Sequence, residues 1–193
     1  MKTLTIVESF PWVVGKCIRR TSEIQLGDKE IIFYLSEIEC LVMGTVGRDS
    51  RVITLTNPPI GRVTDILDSP LREIVASVTE TADEGNLLTT AILRLETLNG
   101  SVLFHWSGNN LDPYGETVDS ALICRGRVPH LPDGTELRRG DRIEFAGPYS
   151  RRRGVIEDID YAGIGKLNIL FDGAGTTAVY SFWILEKVRR VAD

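Results

Sequence analysis

The sequence predicts a mainly β protein in which an antiparallel β-sandwich or roll is followed by a small β-barrel. Three observations predict this: a hairpin signal in the middle of the chain, short apolar runs that recur between turn residues, and a sharp change of composition after residue 127. With 42% apolar and 25% charged residues, the 193-residue chain has the composition of an ordinary folded protein.

The hairpin signal is Asn99-Gly100, which lies between two apolar-rich runs. Asn-Gly readily takes positive φ at both central positions of a type I′ turn, so we expect the chain to reverse there. A two-residue loop at this point pairs Leu98 with Ser101 and, further along, Leu93 with Trp106. One face of the hairpin is then predicted to be core, and its members are Leu93, Leu95, Thr97, Val102, Phe104 and Trp106.

Residues 68–79, which precede the hairpin, fit two structures. Ser69 can cap a helix and Pro70 suits the first helical position. The β-branched residues of 74–79 alternate as they would in a strand. We favour one helical turn that leads directly into a strand.

A module boundary is predicted at residues 128–135, which contain Pro129, Pro132 and the turn signal Asp133-Gly134. We expect a β-rich domain over residues 1–127, a linker over this segment, and a second module over residues 136–193. In the second module we predict four strands and then a turn with a closing strand, at residues 137–145, 154–159, 166–172, 177–183 and 184–190.

The hairpin also carries a spaced motif, because Thr97, Gly100, Trp106 and Gly108 follow the pattern T-x-x-G-x-x-x-x-x-W-x-G. This pattern resembles an uncharacterised domain family found largely in phage-encoded proteins, over roughly residues 13–120. The chain departs from that family in having the single Tyr114 where consecutive tyrosines are usual. The resemblance implies a β-rich fold, is compatible with a phage origin, and brings no assigned activity.

The second module has a motif order of its own: Gly140-Asp141-Arg142-Ile143, then Gly154-Val155-Ile156, then Phe171-Asp172-Gly173, then Leu185 and Val188. This order resembles an SH3-like barrel of the Tudor and KOW type over residues 136–191. Five short strands can close a small core in this way. The resemblance implies a fold and no function, since one fold serves many functions.

Catalytic, metal and cofactor chemistry find little support in the sequence. Gly163-Ile164-Gly165-Lys166 superficially matches a phosphate-binding loop, but the required glycine and hydroxyl positions are occupied by Asp160 and Leu167. With His105 and His130 as the only histidines, three scattered cysteines and no G-x-S-x-G, we expect a protein that is not an enzyme and holds no metal or cofactor. The acidic cluster at 157–160 is expected to be a solvated strand face.

The most suggestive surface feature is Tyr149-Ser150-Arg151-Arg152-Arg153, predicted as a basic loop between the first two strands of the barrel. Its guanidinium groups suit acidic partners, and nearby aromatic rings suit stacking or apolar contact. We favour an acidic protein surface as the partner, and a merely solvated loop and a nucleic-acid-binding loop are the alternatives. The candidate binding residues are Tyr149, Arg151, Arg152, Arg153, Tyr161, Tyr180 and Trp183.

The net charge of −5 lies wholly in residues 1–128, because the residues from Pro129 onward contain ten basic and ten acidic side chains. An acidic N-terminal part disfavours non-specific binding of the whole chain to nucleic acid. No apolar run of about 18 residues and no secretory signal pattern occurs, so we expect no membrane partner and an intracellular, cytoplasmic product, in the bacterial host if the chain is phage-encoded.

The leading functional hypothesis from the sequence is therefore a non-catalytic binding protein that docks on a macromolecular partner, preferably a protein, through its C-terminal barrel. The first alternative is nucleic-acid binding through Arg151, Arg152 and Arg153. The second is capture of a small anionic ligand between the two modules.

Overall fold

The computed structural model describes residues 2–46, 53–83, 86–110, 121–146 and 151–191. The described residues form three antiparallel sheets, which confirms a mainly β protein. The chain divides into two compact units, of which the first comprises Met1–Ser36 and Leu41–Cys124 and the second comprises Glu37–Cys40 and Arg125–Asp193. None of the described helices has the length and apolar character needed to cross a bilayer.

The first nine strands described along the chain form two sheets, with orders β1-β6-β7-β8-β5 and β2-β3-β4-β9. Short 3-10 helices, η1 (Pro11–Val13) and η2 (Val63–Ile66), lie between strands. The strands are β1 (Lys2–Ser9), β2 (Arg20–Thr21), β3 (Glu30–Tyr34), β4 (Glu39–Val46), β5 (Thr54–Leu55), β6 (Leu71–Asp83), β7 (Asn86–Thr97), β8 (Ser101–Asn110) and β9 (Ala121–Arg127).

The core of the first unit gathers on the predicted face of the β7–β8 hairpin. Trp106 is 1% exposed, and its ring centroid lies 5.8 Å from that of Phe104. The Phe104 ring in turn meets Phe33 of β3 edge-on, with the centroids 5.6 Å apart. Burial of large aromatic side chains is the main stabilising contribution that such a core makes.

The predicted register of this hairpin is wrong by two residues, although its faces are confirmed. Trp106 pairs with Ala91 rather than with Leu93, and neither Asn99 nor Gly100 has positive φ. The turn closes one residue earlier because the Thr97 amide donates to the Gly100 carbonyl, while the Thr97 hydroxyl accepts the Asn99 amide at 3.2 Å. Since a shift of two residues preserves the alternation, every side chain stays on its predicted face.

The helical turn predicted at Ser69 and Pro70 is also wrong, whereas the strand after it is confirmed as β6. The backbone of this segment is already paired: the Asp68 amide donates to the Ile18 carbonyl, and the Leu71 amide donates to the Lys16 carbonyl, both at 2.8 Å. The Leu71 carbonyl, which a helix beginning here would bond to the Val75 amide, instead accepts the Gly15 amide at 2.8 Å.

The described residues of the second unit form five strands and a 3-10 helix. The strand predicted at 137–145 begins only at Arg142, because residues 138–141 form a turn in which the Asp141 amide donates to the Arg138 carbonyl at 3.0 Å. The other predicted strands differ from the observed ones by at most three residues at either end. The sheet order is β13-β12-β11-β10-β14, so the first strand of the unit lies between the second and the last. The elements are β10 (Arg142–Ala146), β11 (Arg151–Asp160), β12 (Lys166–Phe171), β13 (Thr177–Ser181), η3 (Phe182–Lys187) and β14 (Val188–Arg190). The largest part of the core comes from Leu137, Ile143, Ile156, Leu167, Ile169, Phe182 and Ile184.

Residues 128–135, expected to be a linker, belong to the second unit. The Leu131 side chain packs in the core of that unit, and its amide donates to the Thr135 carbonyl at 2.9 Å. Asp133 closes the same turn, because its carboxylate accepts the Thr135 amide and the pKa of Asp133 is lowered by that bond. The proline-rich stretch is therefore a packed turn, and the division between the units falls at Cys124.

Candidate functional site

The arginine triplet, Arg151, Arg152 and Arg153, lies in strand β11 and not in the predicted loop. β11 pairs with β10 along the whole triplet. Ala146, the last residue of β10, lies opposite Arg151, and Glu144 lies opposite Arg153. Successive side chains in a strand point to opposite faces. The three guanidinium groups are therefore not presented together on one face. Tyr149 lies outside the described residues.

Arg153 is engaged by a carboxylate of its own unit. Glu144 is 5% exposed and accepts a bond from Arg153 at 3.2 Å and another from Arg189 of β14 at 2.5 Å. The bond from Arg153 is the largest cause of a lowered Glu144 pKa, and Arg189 adds to it while burial opposes it. This cross-strand group leaves Arg153 less available to an outside anion.

Arg152 lies on the opposite face, over an aromatic cluster. Its guanidinium carbon is 4.2 Å from the centroid of Phe171, a distance at which the cation is attracted to the ring. Phe171 meets Tyr180 edge-on at 6.1 Å, and Tyr180 stacks on Phe145 at 5.7 Å. Two predicted site residues, Arg152 and Tyr180, are thus brought together, and both contribute to packing at the edge of the core.

Arg151, which is exposed like the other two members of the triplet, has no ion pair or ring contact among the described residues. Tyr161 is half-buried and packs against the core of the second unit. Trp183 is 67% exposed and lies on η3, with the Lys187 ammonium 5.5 Å from its ring centroid. Trp183 lines a groove that none of the other described candidates lines.

That groove, which we call the Trp183 groove, has a volume of about 510 Å³, and all of the residues that line it belong to the second unit. Three of its large apolar side chains are strongly exposed: Ile38 by 68%, Ile164 by 64% and Trp183 by 67%. The apolar lining consists of Ile38, Val128, Ile164, Phe182, Trp183 and Leu185.

The local sequence explains the shape of the groove. Gly165 has φ of +73°, a conformation that side-chain-bearing residues rarely adopt, and a Cβ at this position would collide with the Phe182 ring. The Gly165 amide closes a turn onto the Ala162 carbonyl, and the Gly165 carbonyl accepts the Phe182 amide. Phe182 can therefore lie flat against the turn that carries Ile164.

The polar lining of the groove is Arg127, His130 and Ser181, with no carboxylate. His130 Nδ1 lies 3.2 Å from the Val128 carbonyl oxygen. Since a carbonyl only accepts, Nδ1 carries the proton, and Nε2 of the neutral ring remains an acceptor. Glu37 is next to a lining residue in sequence but is not part of the lining.

The acidic cluster at 157–160 is engaged locally. The Asp160 carboxylate accepts the Ala162 amide at 2.9 Å and lies 3.8 Å from the Lys166 ammonium, and Glu157 accepts the Thr177 hydroxyl. Within the described ranges, no three His, Cys, Asp or Glu side chains come close enough together to hold a metal ion.

Sequence reasoning missed Ile38, Arg127, His130 and Ile164. Ile164 had a signal, because an apolar residue between Gly163 and Gly165 is placed at the tip of a turn, where it is exposed. Ile38 had none, since only the tertiary structure adds its short segment to the second unit.

No protein-family model, curated protein or solved structure matches this chain. The resemblances to a phage-associated domain and to SH3-like barrels stay predictions. Fold and site together define a mainly β protein whose second unit has a five-stranded sheet and an exposed apolar groove.

Proposed function

We propose that this protein is a non-catalytic interaction protein that binds a segment of another protein in the Trp183 groove. The observation that carries the proposal is the convergence of Ile38, Ile164 and Trp183, all strongly exposed, on one groove. Single exposed apolar residues are common, but a grouped set in a concave surface is typical of a binding site.

The support for Trp183 is rigid, which favours binding. Its neighbours on η3, Phe182 and Ile184, are buried in the core, so the backbone that carries the indole is held in place. A pre-organised side chain loses little conformational entropy when a partner binds. Tryptophan is also the residue type most often found to dominate the binding energy of protein interfaces.

The strand order supports docking through the C-terminal unit. A first strand between the second and last strands, with a 3-10 turn before the last, is the arrangement expected of a small SH3-type barrel. Barrels of this size commonly recognise short peptide segments in aromatic-lined grooves. A fold does not by itself give a function, so the proposal rests on the groove.

The contacts of the arginine triplet favour the groove over nucleic-acid binding. Arg153 is bonded to Glu144, and Arg152 covers Phe171. Phosphate binding would have to break these contacts or rely on Arg151. Since affinity for nucleic acid rests on several simultaneous phosphate contacts, the triplet is the weaker candidate.

The proposal is tested by selecting a random peptide display library on the full chain and retesting the enriched clones on two variants. Trp183→Ala removes the central apolar side chain of the groove. Val179→Ala is the matched control, because Val179 is 61% exposed on β13 but does not line the groove. We expect enriched clones that bind the wild type and Val179→Ala but not Trp183→Ala. Clones that bind all three equally, or no enrichment, would contradict the proposal.

A further inference from the structure

We infer that the Trp183 groove selects segments that combine apolar side chains with at least one carboxylate. This inference rests on the proposed function and adds the chemical class of the ligand. The observation behind it is that the lining of the groove contains a basic residue and no acidic residue.

The lining contains a guanidinium, from Arg127, and an imidazole, from His130, and no acidic group. Lys187 adds a second cationic group beside the groove, because its ammonium lies 5.5 Å from the centroid of the Trp183 ring. Glu186, the acidic neighbour of Leu185, is not part of the lining. An acidic ligand segment would therefore meet positive charge, and a basic segment would meet repulsion.

Arg127 differs from several other arginines of the second unit. Arg142 is bonded to Asp172 at 2.6 Å, and Arg190 to Asp141 at 2.7 Å. Arg127 is exposed and has no ion pair among the described residues. Its position is nevertheless fixed, because its amide donates to the Tyr161 carbonyl at 2.9 Å. The backbone of Arg127 is thus held beside the groove, and its side chain is exposed to a ligand.

The chemistry of these groups suits a carboxylate. A guanidinium can bond both oxygens of a carboxylate at once, and such charge-assisted bonds are stronger beside apolar surface than in open water. The Ser181 hydroxyl supplies a further neutral donor in the same lining.

The test uses the peptides selected above that depend on Trp183, synthesised with a fluorescent label and titrated by anisotropy. We expect these peptides to carry Asp or Glu beside apolar residues, and Arg127→Glu to weaken their binding at least tenfold. Replacing the acidic residue of the peptide by Lys should restore binding to Arg127→Glu and abolish it for the wild type. Arg139→Glu is the matched control, because it makes the same charge change at an exposed position outside the groove.

The outcomes separate the two claims. If no selected peptide depends on Trp183, both the proposed function and this inference fail. If Trp183-dependent peptides are found but are neutral or basic, or if Arg127→Glu and Arg139→Glu weaken binding equally, the groove binds segments and the inference about carboxylates is overturned.

Discussion

Two exposed surfaces of the second unit are the arginine triplet on β11 and the Trp183 groove. They differ in the contacts that their side chains make within the chain. The triplet is conspicuous in the sequence, yet Arg152 and Arg153 are engaged by Phe171 and Glu144. The groove is inconspicuous in the sequence, yet Ile38, Ile164 and Trp183 remain exposed after folding. The difference teaches that a cluster of one residue type in the sequence does not show which exposed side chains converge on one concave surface.

The largest expected effect comes from Gly165→Ala, in the turn against which the groove residue Phe182 packs. The new Cβ would collide with the Phe182 ring, and the alanine would have to keep a positive φ that side-chain-bearing residues rarely adopt. We therefore expect the unfolding free energy to fall by at least about 2 kcal/mol. Gly173→Ala is the control, because Gly173 has a similar φ of +75° with open space around its Cβ. Denaturant unfolding should show the smaller loss for Gly173→Ala, and equal losses would mean that the Phe182 contact is unimportant.

The next effect distinguishes the two surfaces directly. Trp183→Ala should weaken binding of a groove-selected peptide by about 2 kcal/mol, roughly 30-fold, because a pre-organised indole is lost from the centre of the contact. Replacing Arg151, Arg152 and Arg153 together by Ala should leave that affinity within about twofold, since none of them lines the groove. Anisotropy titration measures both. A larger loss for the triple variant than for Trp183→Ala would reverse the comparison.

A smaller effect on stability is expected from Glu144→Gln, which leaves Arg153 and Arg189 without their shared carboxylate. Because the pKa of Glu144 is lowered in the folded protein, its stabilising contribution is present above the ordinary glutamate pKa of about 4.3 and is lost as pH falls through the folded value. The denaturant midpoint of the variant should lie below that of the wild type at pH 7. The two midpoints should converge as the pH falls below the folded pKa of Glu144, and a constant difference would contradict the ion-pair account.

The smallest effect concerns nucleic acid. If the ion pairs with Glu144 keep Arg153 and Arg189 from binding phosphate, then Glu144→Gln should bind labelled single-stranded DNA more tightly than the wild type. The gain in affinity should decline with added salt. Titrations at two salt concentrations measure this. Equal binding by both proteins would show that Glu144 does not limit the arginines.

The sequence predicted the strands of the second unit well, because β-branched and apolar runs there are separated by glycine turns that match the observed boundaries. It also predicted which face of the β7–β8 hairpin is buried. The register was wrong because Thr97 makes side-chain bonds that close the turn earlier than the Asn-Gly pair alone would. Alternation depends only on residue type, whereas register depends on such specific contacts.

Of the candidate site, the sequence predicted Trp183 alone among the lining residues of the groove. The others come from separate segments, and Ile38 in particular joins the second unit only in the tertiary structure. The arginine triplet was predicted to be a loop because no local pattern shows that β10 extends to Ala146 and pairs with it. Whether a charged side chain is partnered depends on such long-range pairing.

The central claim is that the partner contacts the Trp183 groove and not the arginine triplet, and photo-cross-linking tests it most directly. A Trp183-dependent peptide with a benzophenone in place of its main apolar residue would be irradiated with the full chain, and the adducts mapped by mass spectrometry. We expect adducts at Ile38, Ile164 or Trp183, since these side chains line the groove. Adducts concentrated at residues 151–153 instead would contradict the account.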